Sequence, residues 1–294
     1  DQGETWCEPY SVGQNQTGWL SSPKIAVDLN NKLYVTYDSA TQNPYQTTVR
    51  LQVFDGNQWG QSSVVSEGYP GSYYSRLAMK SNGELFICWY YPGGTGRMFY
   101  RTYYNGVFSQ ILPAQNEGIY YLIHKTEYDK NDILHCLGSS NTERAQLHCF
   151  MYSNQQWSDL YIISNTNYGR TLALDSSNNP HCVWYNSVVD RTYYANFVNN
   201  EWITDERITN YSEEHSLLIE GNGTRHLVQM EKNDLNKTHI YYKYYGNNFN
   251  GASCKAANCS LSAKICCSQY LSSANHEKFR TKAGSLQRFA TQPM

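Results

Sequence analysis

Residues 172–185 read Leu-Ala-Leu-Asp-Ser-Ser-Asn-Asn-Pro-His-Cys-Val-Trp-Tyr, and the fold is read most directly from this stretch. A short apolar segment ends at Asp175, an Asn-rich turn follows, and a second apolar segment leads to Tyr185. Short apolar segments on either side of an Asn-, Asp- or Gly-containing turn are typical of a β-hairpin. The stretch therefore predicts two adjacent antiparallel strands.

The same pattern recurs along the chain, with apolar segments beginning at Ile25, Leu77 and Leu217 and a looser copy at Leu122. A second marker is an aromatic residue that follows a short polar turn and opens another strand. These aromatic residues are 45 to 53 residues apart. They are Trp6, Trp59, Phe108, Trp157, Trp202 and Phe249.

Each repeat thus contains about four short strands joined by hairpins, which is the pattern of a β-propeller blade. We predict an all-β chain, a β-propeller of four-stranded antiparallel blades. Six blades are favoured because 294 residues hold six repeats of 49, and five blades with a separate tail is the alternative. The predicted blades are 22–70, 71–118, 119–166, 167–212 and 213–250, with 1–21 contributing to the closing blade.

Residues 251–294 form a Cys-rich, basic C-terminal segment that breaks the repeat. This segment has a net charge of +5, whereas the rest of the chain has a net charge of −7. The net charge of the whole chain is −2, which does not indicate a nucleic-acid-binding protein. Aromatic residues make up 15%, a composition that excludes a disordered chain, and no apolar run is long enough to span a membrane.

Residues 1–6, Asp-Gln-Gly-Glu-Thr-Trp, match the D-x-G-x-T-W half of the Asp-box. On this motif, and on the segments 26–28 and 174–185, the chain resembles the sialidase-like (BNR-repeat) β-propellers. The resemblance implies that Asp1 and Trp6 fold a turn rather than catalyse a reaction. The Phe-Arg-Ile-Pro motif of sialidases is absent, since Ser22-Pro23-Lys24-Ile25 stands in its place. The resemblance therefore implies the scaffold without the sialidase reaction, and we favour a protein that is not an enzyme.

In a propeller the innermost strands begin near the central funnel, where ligands usually bind. Two arginines, Arg76 and Arg170, occupy equivalent places at such starts two blades apart. Their forked donors suit the oxygens of a carboxylate or sulfate, so an acidic sugar is the expected ligand. Local ion pairing is the alternative role for both. The candidate ligand-binding residues are Arg76, Arg170, Tyr121, His215 and Tyr74.

Three carboxylates at equivalent turns, Asp28, Asp175 and Glu220, are predicted to be structural. Three His-Cys dipeptides, at 135–136, 148–149 and 181–182, could contribute metal ligands. Alternation along a strand sends each His and its neighbouring Cys to opposite faces, so we expect no metal site. For Cys136 and Cys149 we expect a cross-strand disulfide or two buried thiols.

The remaining disulfide candidates are clustered in the tail, as in exported proteins. They are Cys254, Cys259, Cys266 and Cys267. The candidate N-glycosylation sites are Asn15, Asn210, Asn222, Asn236 and Asn258. Together these features predict a secreted, extracellular glycoprotein. The odd number of cysteines, nine, leaves one thiol free or bonded to another chain.

The first functional hypothesis is a lectin-like adhesion or carbohydrate-binding propeller that recognises glycans, including acidic ones, without cleaving them. The second is a polysaccharide lyase or glycosidase acting on acidic polysaccharide, in which arginines neutralise a uronate and Tyr121 or His215 is the base. The third is a structural subunit of an extracellular surface assembly or filament that self-associates through the tail or an unpaired cysteine. We expect no cofactor, and no residue pattern supports a structural calcium ion.

Overall fold

The computed structural model of the 294-residue chain describes residues 9–13, 18–42, 45–93, 96–114, 121–140, 146–165, 168–186, 188–209, 214–232 and 238–245. Within these ranges the named elements are all β-strands, and they form five antiparallel sheets that follow one another along the chain. The prediction of an all-β chain built from small antiparallel sheets is confirmed. None of the described ranges contains a helix long and apolar enough to cross a membrane.

The first two sheets are built from residues 20–113. The first sheet contains β1 (Leu20–Val27), β2 (Leu33–Gln42), β3 (Tyr45–Phe54) and β4 (Ser63–Val64). The second contains β5 (Tyr73–Met79), β6 (Leu85–Tyr91), β7 (Arg97–Tyr104), β8 (Val107–Phe108) and β9 (Leu112–Pro113). Both β8 and β9 pair with β7, so this sheet has five described strands rather than the four predicted.

The other three sheets repeat the same order. The third contains β10 (Tyr121–Tyr128), β11 (Leu134–Ser140), β12 (Leu147–Ser153), β13 (Gln156–Trp157) and β14 (Tyr161–Ser164). The fourth contains β15 (Tyr168–Leu174), β16 (Pro180–Asn186), β17 (Arg191–Val198) and β18 (Glu201–Thr209). The fifth, within the described residues, contains β19 (Glu214–Ile219), β20 (Arg225–Lys232) and β21 (Thr238–Tyr245).

The first strand of each sheet contacts the first strand of the next, from β1 through β5, β10 and β15 to β19. We call these five strands the inner strands. The end at which they begin is called the entrance end, and the end at which they turn into the second strand is called the turn end. Stacking of small antiparallel sheets through their first strands is the arrangement of a propeller.

The second sheet illustrates why these sheets stack. Along β6, Leu85, Ile87 and Trp89 pack against the first sheet, whereas Phe86 and Cys88 pack against the third. Side chains alternate between the two faces of a strand, so a strand that is buried on both faces has no polar side. The uninterrupted apolar run of β6 follows from this double burial.

In four of the five described sheets a carboxylate stands at the start of the hairpin turn at the turn end, and the second sheet has Lys80 there. Asp129 Oδ1 accepts hydrogen bonds from the backbone N–H groups of Asn131 (2.8 Å) and Ile133 (2.9 Å). Asp28 and Asp175 bond the corresponding amides of their own turns at 2.8–2.9 Å. These bonds satisfy donors that the turn leaves unpaired, which gives Asp28 and Asp175 the structural role predicted for them.

Of the two alternatives predicted for Cys136 and Cys149, the structure contains the second, two buried thiols, and not the disulfide. Cys136 pairs with Phe150, and Cys149 pairs with Leu137. The two cysteines therefore occupy adjacent register positions, so that Cys136 faces the second sheet and Cys149 faces the other way. Burial raises the pKa of the Cys149 thiol to about 12, which keeps it protonated.

Candidate functional site at the entrance end

The entrance end carries a β-bulge on four of the five inner strands. The pairing register shifts between Ser21 and Lys24 in β1, Tyr73 and Arg76 in β5, Ile123 and Lys125 in β10, and Tyr168 and Thr171 in β15. A bulge places an extra residue in one strand and re-aims its side chain. Side chains at these positions are thus released from strict alternation and can turn toward the neighbouring sheets.

Three of the sheets contribute side chains to one cluster at this end. His124, the bulged residue of β10, lies with its Nε2 2.8 Å from the Ser139 hydroxyl of β11. Arg170, within the bulge of β15, donates from Nη1 to the same hydroxyl at 2.9 Å. Arg76 of β5 donates from Nε to the His124 carbonyl at 2.5 Å and from Nη1 to the Ser75 carbonyl at 2.8 Å. We call Arg76, His124, Ser139 and Arg170 the arginine–histidine cluster.

The electrostatics of the cluster keep its imidazole neutral. Burial holds the pKa of His124 well below its usual range, and the positive charges of Arg170 and Arg76 lower it further. A neutral imidazole has one acceptor nitrogen. Since the Ser139 hydroxyl already accepts from Arg170, its proton is available for His124 Nε2. The cluster thus combines two guanidinium groups with a neutral histidine.

Arg76 and Arg170 come together as neighbours of His124, yet they are not equivalent positions. Arg76 pairs with Cys88, and the residue with the matching partner in the fourth sheet is Thr171, opposite Val183. Arg170 therefore lies one residue earlier in its strand than Arg76 does. The two arginines reach the third sheet from opposite sides because one precedes it and the other follows it in the stack.

Two other predicted ligand residues lie elsewhere or outside the description. Tyr121 begins β10 opposite Ser140, but its side chain is not among those described. His215 belongs to β19 of the fifth sheet, where its Nε2 lies 3.4 Å from the Thr192 hydroxyl of β17. This contact joins His215 to the fourth sheet.

The fifth predicted residue, Tyr74, lies in the bulge of β5, two residues before Arg76. Its ring is 45% exposed and meets Tyr73 edge to face, with ring centroids 4.6 Å apart. Its backbone N–H donates to Asp38 Oδ2 at 3.0 Å. Tyr74 is thus a surface aromatic at the entrance end, anchored through its main chain.

The sequence reasoning missed His124, Ser139 and Asp38. His124 could have been found by counting back five residues from the turn carboxylate Asp129, since the same count from Asp175 gives Arg170 and from Glu220 gives His215. Ser139 and Asp38 occupy second strands, where a single polar residue in a polar–apolar alternation gives no signal. Their roles arise from contacts with another sheet.

The histidines of the His-Cys dipeptides have other partners. His135 Nε2 lies 3.2 Å from Asp129, and His181 Nε2 lies 3.3 Å from Asp175, so both bind the turn carboxylates. His148 is buried in β12. Within the described part of the chain no group of three or more His, Cys, Asp or Glu side chains is placed to hold a metal ion.

The other predicted features of the tail and the chain start lie mostly outside the described residues. These comprise the Asp-box at 1–6, the four tail cysteines and the glycosylation candidates Asn15, Asn210, Asn236 and Asn258. Asn222 is described, and it is an exposed residue of the turn between β19 and β20. Its side-chain oxygen accepts a hydrogen bond from the Thr224 N–H at 2.8 Å.

No known protein family and no curated protein sequence matches the chain. Solved structures do. A protein of unknown function from Dyadobacter fermentans shares 11% identity, with a TM-score of 0.59 over 79% of this chain and 80% of that one. A PL25 ulvan lyase bound to -[GlcA(1-4)Rha3S]- shares 10% identity, with a TM-score of 0.57 over 79% and 69%. A Hadza microbial sialidase shares 10% identity, with a TM-score of 0.54 over 78% of this chain and 56% of that one.

These likenesses, at identities near 10%, concern the fold. They show that the chain shares a propeller-like fold with a sialidase and a polysaccharide lyase. The fold resemblance inferred from the sequence is confirmed at this level.

Proposed function

We propose that the protein binds acidic glycans at the entrance end, and that the arginine–histidine cluster recognises the acidic group. The observation that supports this most is the convergence of Arg76 and Arg170, from two different sheets, on the His124–Ser139 pair of the sheet between them. Fold alone does not deliver an activity, so the proposal depends on this cluster rather than on the neighbours.

The chemistry of the cluster suits a uronate or a sulfated sugar. The guanidinium groups donate to two carbonyls and one hydroxyl, and these contacts fix their orientation. Planar forked donors bind carboxylate and sulfate oxygens in pairs. His124, being neutral, adds a hydrogen-bonding group without competing for the anion.

Calorimetric titration tests the proposal, with glucuronate oligosaccharides as the acidic probe and neutral glucose oligosaccharides for comparison. The wild-type chain should bind the acidic probe and discriminate against the neutral one. Arg170→Ala and Arg76→Ala should each weaken binding about tenfold or more, because each removes a charge-assisted contact. Arg170→Lys should recover only part of the loss, since Lys lacks the planar fork.

The matched control is Lys32→Ala, which removes an exposed cation from the opposite, turn end of the first sheet. It should leave affinity unchanged, whereas general attraction by surface charge would make it resemble the arginine variants. Equal binding of acidic and neutral oligosaccharides, or no binding of either, would contradict the proposal.

Eliminative cleavage of a uronate polymer is the second candidate, and the position of His124 between two arginines favours it over Tyr121 or His215 as the base. In this step His124 would take the C5 proton and become imidazolium. The C5–H electron pair would form the C4=C5 double bond, the C4–O bond would break, and the leaving oxygen would take a proton from water. The arginines would stabilise the charge on the carboxylate.

The lowered pKa of His124 argues for binding as the leading function, because a general base works best with a pKa near the working pH. Cleavage is distinguished from binding by incubating the protein with glucuronate polymers and monitoring the ultraviolet absorbance of the unsaturated product. Catalysis would be abolished by His124→Ala while oligosaccharide binding is retained. A flat trace for the wild-type chain leaves binding as the function.

We also propose that the sheets form a six-bladed ring closed by a sixth sheet. Two opposite faces of the described stack support this. On the first sheet Ile25 (62% exposed) and Val27 (50%) point away from the second sheet. On the fifth sheet Leu218 (62%) and Ile240 (64%) point away from the fourth. Apolar faces at both ends of the stack are what a missing blade would cover.

We propose that the start of the chain, residues 1–21, contributes to the covering sheet. Two contacts support this: Tyr10 stacks on Trp59 at 5.4 Å, and the Gly13 N–H donates to Gln52 Oε1 at 3.0 Å. Residues 10–13 thus lie against the first sheet.

Substitution of a face residue tests the closure. Leu218→Lys should lower stability by about 2 kcal/mol or more if a sixth sheet buries that face, because an unpaired charge would then be buried. Leu29→Lys is the control, at an 87% exposed turn position, and should be neutral. An equally neutral Leu218→Lys would reject closure over this face.

Export from the cell belongs to the same proposal and rests on the five N-glycosylation sequons and the clustered tail cysteines. Treatment of the protein from its native source with an N-glycosidase should lower its mass, and Asn222→Gln should remove part of that change if the exposed Asn222 carries a glycan. An unchanged mass would contradict glycosylation at all five sites.

A further inference from the structure

Tyr74 has a backbone conformation that its residue type rarely adopts. Its φ angle is +58°, in the left-handed region. Most of the other non-glycine residues with positive φ in the described ranges are Asn or Asp, which tolerate this region in tight turns, and Tyr74 is the aromatic one among them. For a bulky residue, a left-handed φ persists only where the surroundings hold it.

The group that holds Tyr74 is a buried carboxylate of the neighbouring sheet. Asp38, on β2, is 1% exposed and accepts the Tyr74 backbone N–H on Oδ2 at 3.0 Å. The next residue is fixed as well, because the buried Ser75 hydroxyl donates to Thr36 Oγ1 at 3.1 Å. A buried carboxylate needs hydrogen-bond donors to offset its loss of hydration. The Tyr74 N–H supplies one of them, at Oδ2.

The Tyr74 ring is presented to solvent on a built support. It is 45% exposed and rests edge to face on Tyr73, with an interplanar angle of 76°. Tyr73 in turn meets Tyr90 of β6 edge to face, with centroids 5.4 Å apart. Support from a half-buried pair of rings fixes the orientation of Tyr74 at little further cost in side-chain entropy.

The support adjoins the arginine–histidine cluster. Tyr74 and Arg76 are two residues apart in one bulge, so their Cα atoms are at most roughly 7 Å apart. Arg76 reaches His124 of the third sheet, whereas Tyr74 is tied to Asp38 of the first. One bulge thus contacts two neighbouring sheets and carries both the exposed Tyr74 and the cationic Arg76.

We infer that Tyr74 forms a second sugar subsite next to the arginine–histidine cluster, and that Asp38 is the positioning residue that holds it there. The ligand class is the apolar face of a pyranose ring adjacent, in the same oligosaccharide, to the acidic sugar. This inference rests on the proposed function, because the acidic sugar is the one bound by Arg76 and Arg170.

The experiment compares two probes by calorimetry: free glucuronate and a tetrasaccharide of alternating glucuronate and rhamnose. Tyr74→Ala should weaken tetrasaccharide binding about tenfold and leave glucuronate binding unchanged. Tyr74→Phe should keep both affinities, since the ring remains. Tyr104→Ala is the matched control. Tyr104 is also 45% exposed and belongs to the same sheet, but it lies at the last position of β7, next to the turn end.

The role of Asp38 is tested by its own pair of variants. Asp38→Asn keeps an acceptor oxygen for the Tyr74 N–H and should retain most of the tetrasaccharide affinity. Asp38→Leu removes the acceptor and should match the loss of Tyr74→Ala. Asp38→Leu combined with Tyr74→Ala should lose no more than either single variant, because Asp38 acts through Tyr74.

The two probes separate the possible failures. If the wild-type chain binds neither, the proposed function fails and this inference with it. If glucuronate binds but Tyr74→Ala leaves tetrasaccharide affinity unchanged, the second subsite alone is rejected. If Asp38→Leu weakens free glucuronate as strongly as the tetrasaccharide, Asp38 supports the Arg76 region in general and its assigned positioning role is wrong.

Discussion

The two ends of the inner strands differ in how their polar side chains are satisfied. At the turn end three turn carboxylates bond within their own repeat: Asp129 with His135, Asp175 with His181, and Glu220 with His226 at 3.0 Å. At the entrance end the bonds cross between sheets, as from Arg76 to His124 and from Arg170 to Ser139. Bonds between neighbouring turns also occur at the turn end, from Ser81 to Asp132 and from Lys130 to Ser176. The carboxylate–histidine pairs nevertheless lie within one sheet, whereas the arginine–histidine cluster forms only between stacked sheets.

This difference gives the turn end a local reason to keep its residues. Asp28, Asp129 and Asp175 satisfy amides of their own hairpins, although Lys80 stands at this position in the second sheet. A bulged residue at the entrance end forms no such bonds within its own hairpin. Its residue type can therefore be selected for binding a ligand. Repeats of one architecture can thus differ at the site without any change of fold.

The largest effect is expected from Asp129→Ala at the turn end. This carboxylate bonds two backbone amides and the buried His135, all of which would lose a partner. We expect the free energy of unfolding to fall by about 3 kcal/mol, as measured by urea denaturation. Oligosaccharide affinity should be unchanged under conditions where the variant is folded.

The control for this variant is Asp55→Ala, in the outer turn between β3 and Trp59. Asp55 also accepts two backbone amides, but its side chain is exposed and water can replace it. Its loss should cost clearly less than that of Asp129. Equal losses would mean that local turn bonding, rather than the buried pair with His135, carries the stability.

The comparison of the two ends also shows which parts of the molecule the sequence could predict. Hairpins, aromatic turns and the turn carboxylates were predictable because their partners lie a few residues away. Arg76 and Arg170 could be placed at the starts of inner strands because those strands lead directly into the predicted hairpins. His124 was missed although the five-residue count from Asp129 gives it, and Asp38 was missed because it acts on the next sheet. Of the two alternatives for Cys136 and Cys149, the disulfide does not form because adjacent register positions face opposite ways.

A smaller effect is expected from acid, through buried histidines. Burial lowers the pKa of His148 to about 4, whereas an unfolded histidine titrates near 6.5. Between these values the unfolded chain binds more protons than the folded chain, so stability is complete above about pH 6.5 and falls as the pH drops toward 4. After allowance for solvent screening, His148 should contribute about 2 kcal/mol to this loss.

Urea denaturation of His148→Gln at pH 7 and pH 4.5 measures that contribution as a reduced difference between the two conditions. Asp38 and Glu127, whose pKa values burial raises, change stability in the opposite sense. The comparison of variant with wild type cancels their effect. An identical pH dependence of the two proteins would show that His148 titrates normally in the folded state.

The smallest effect is expected from Ser139→Ala, at the centre of the entrance end. The Ser139 hydroxyl is shared by His124 and Arg170, so its loss should lower the affinity for glucuronate three- to tenfold and stability by about 1 kcal/mol. Ser66→Ala is the matched control: Ser66 is equally buried, and its hydroxyl accepts from Val49 N–H in the first sheet. It should show the same stability loss with full affinity. If both variants keep full affinity, the hydroxyl of Ser139 does not orient Arg170, and the cluster acts by charge alone.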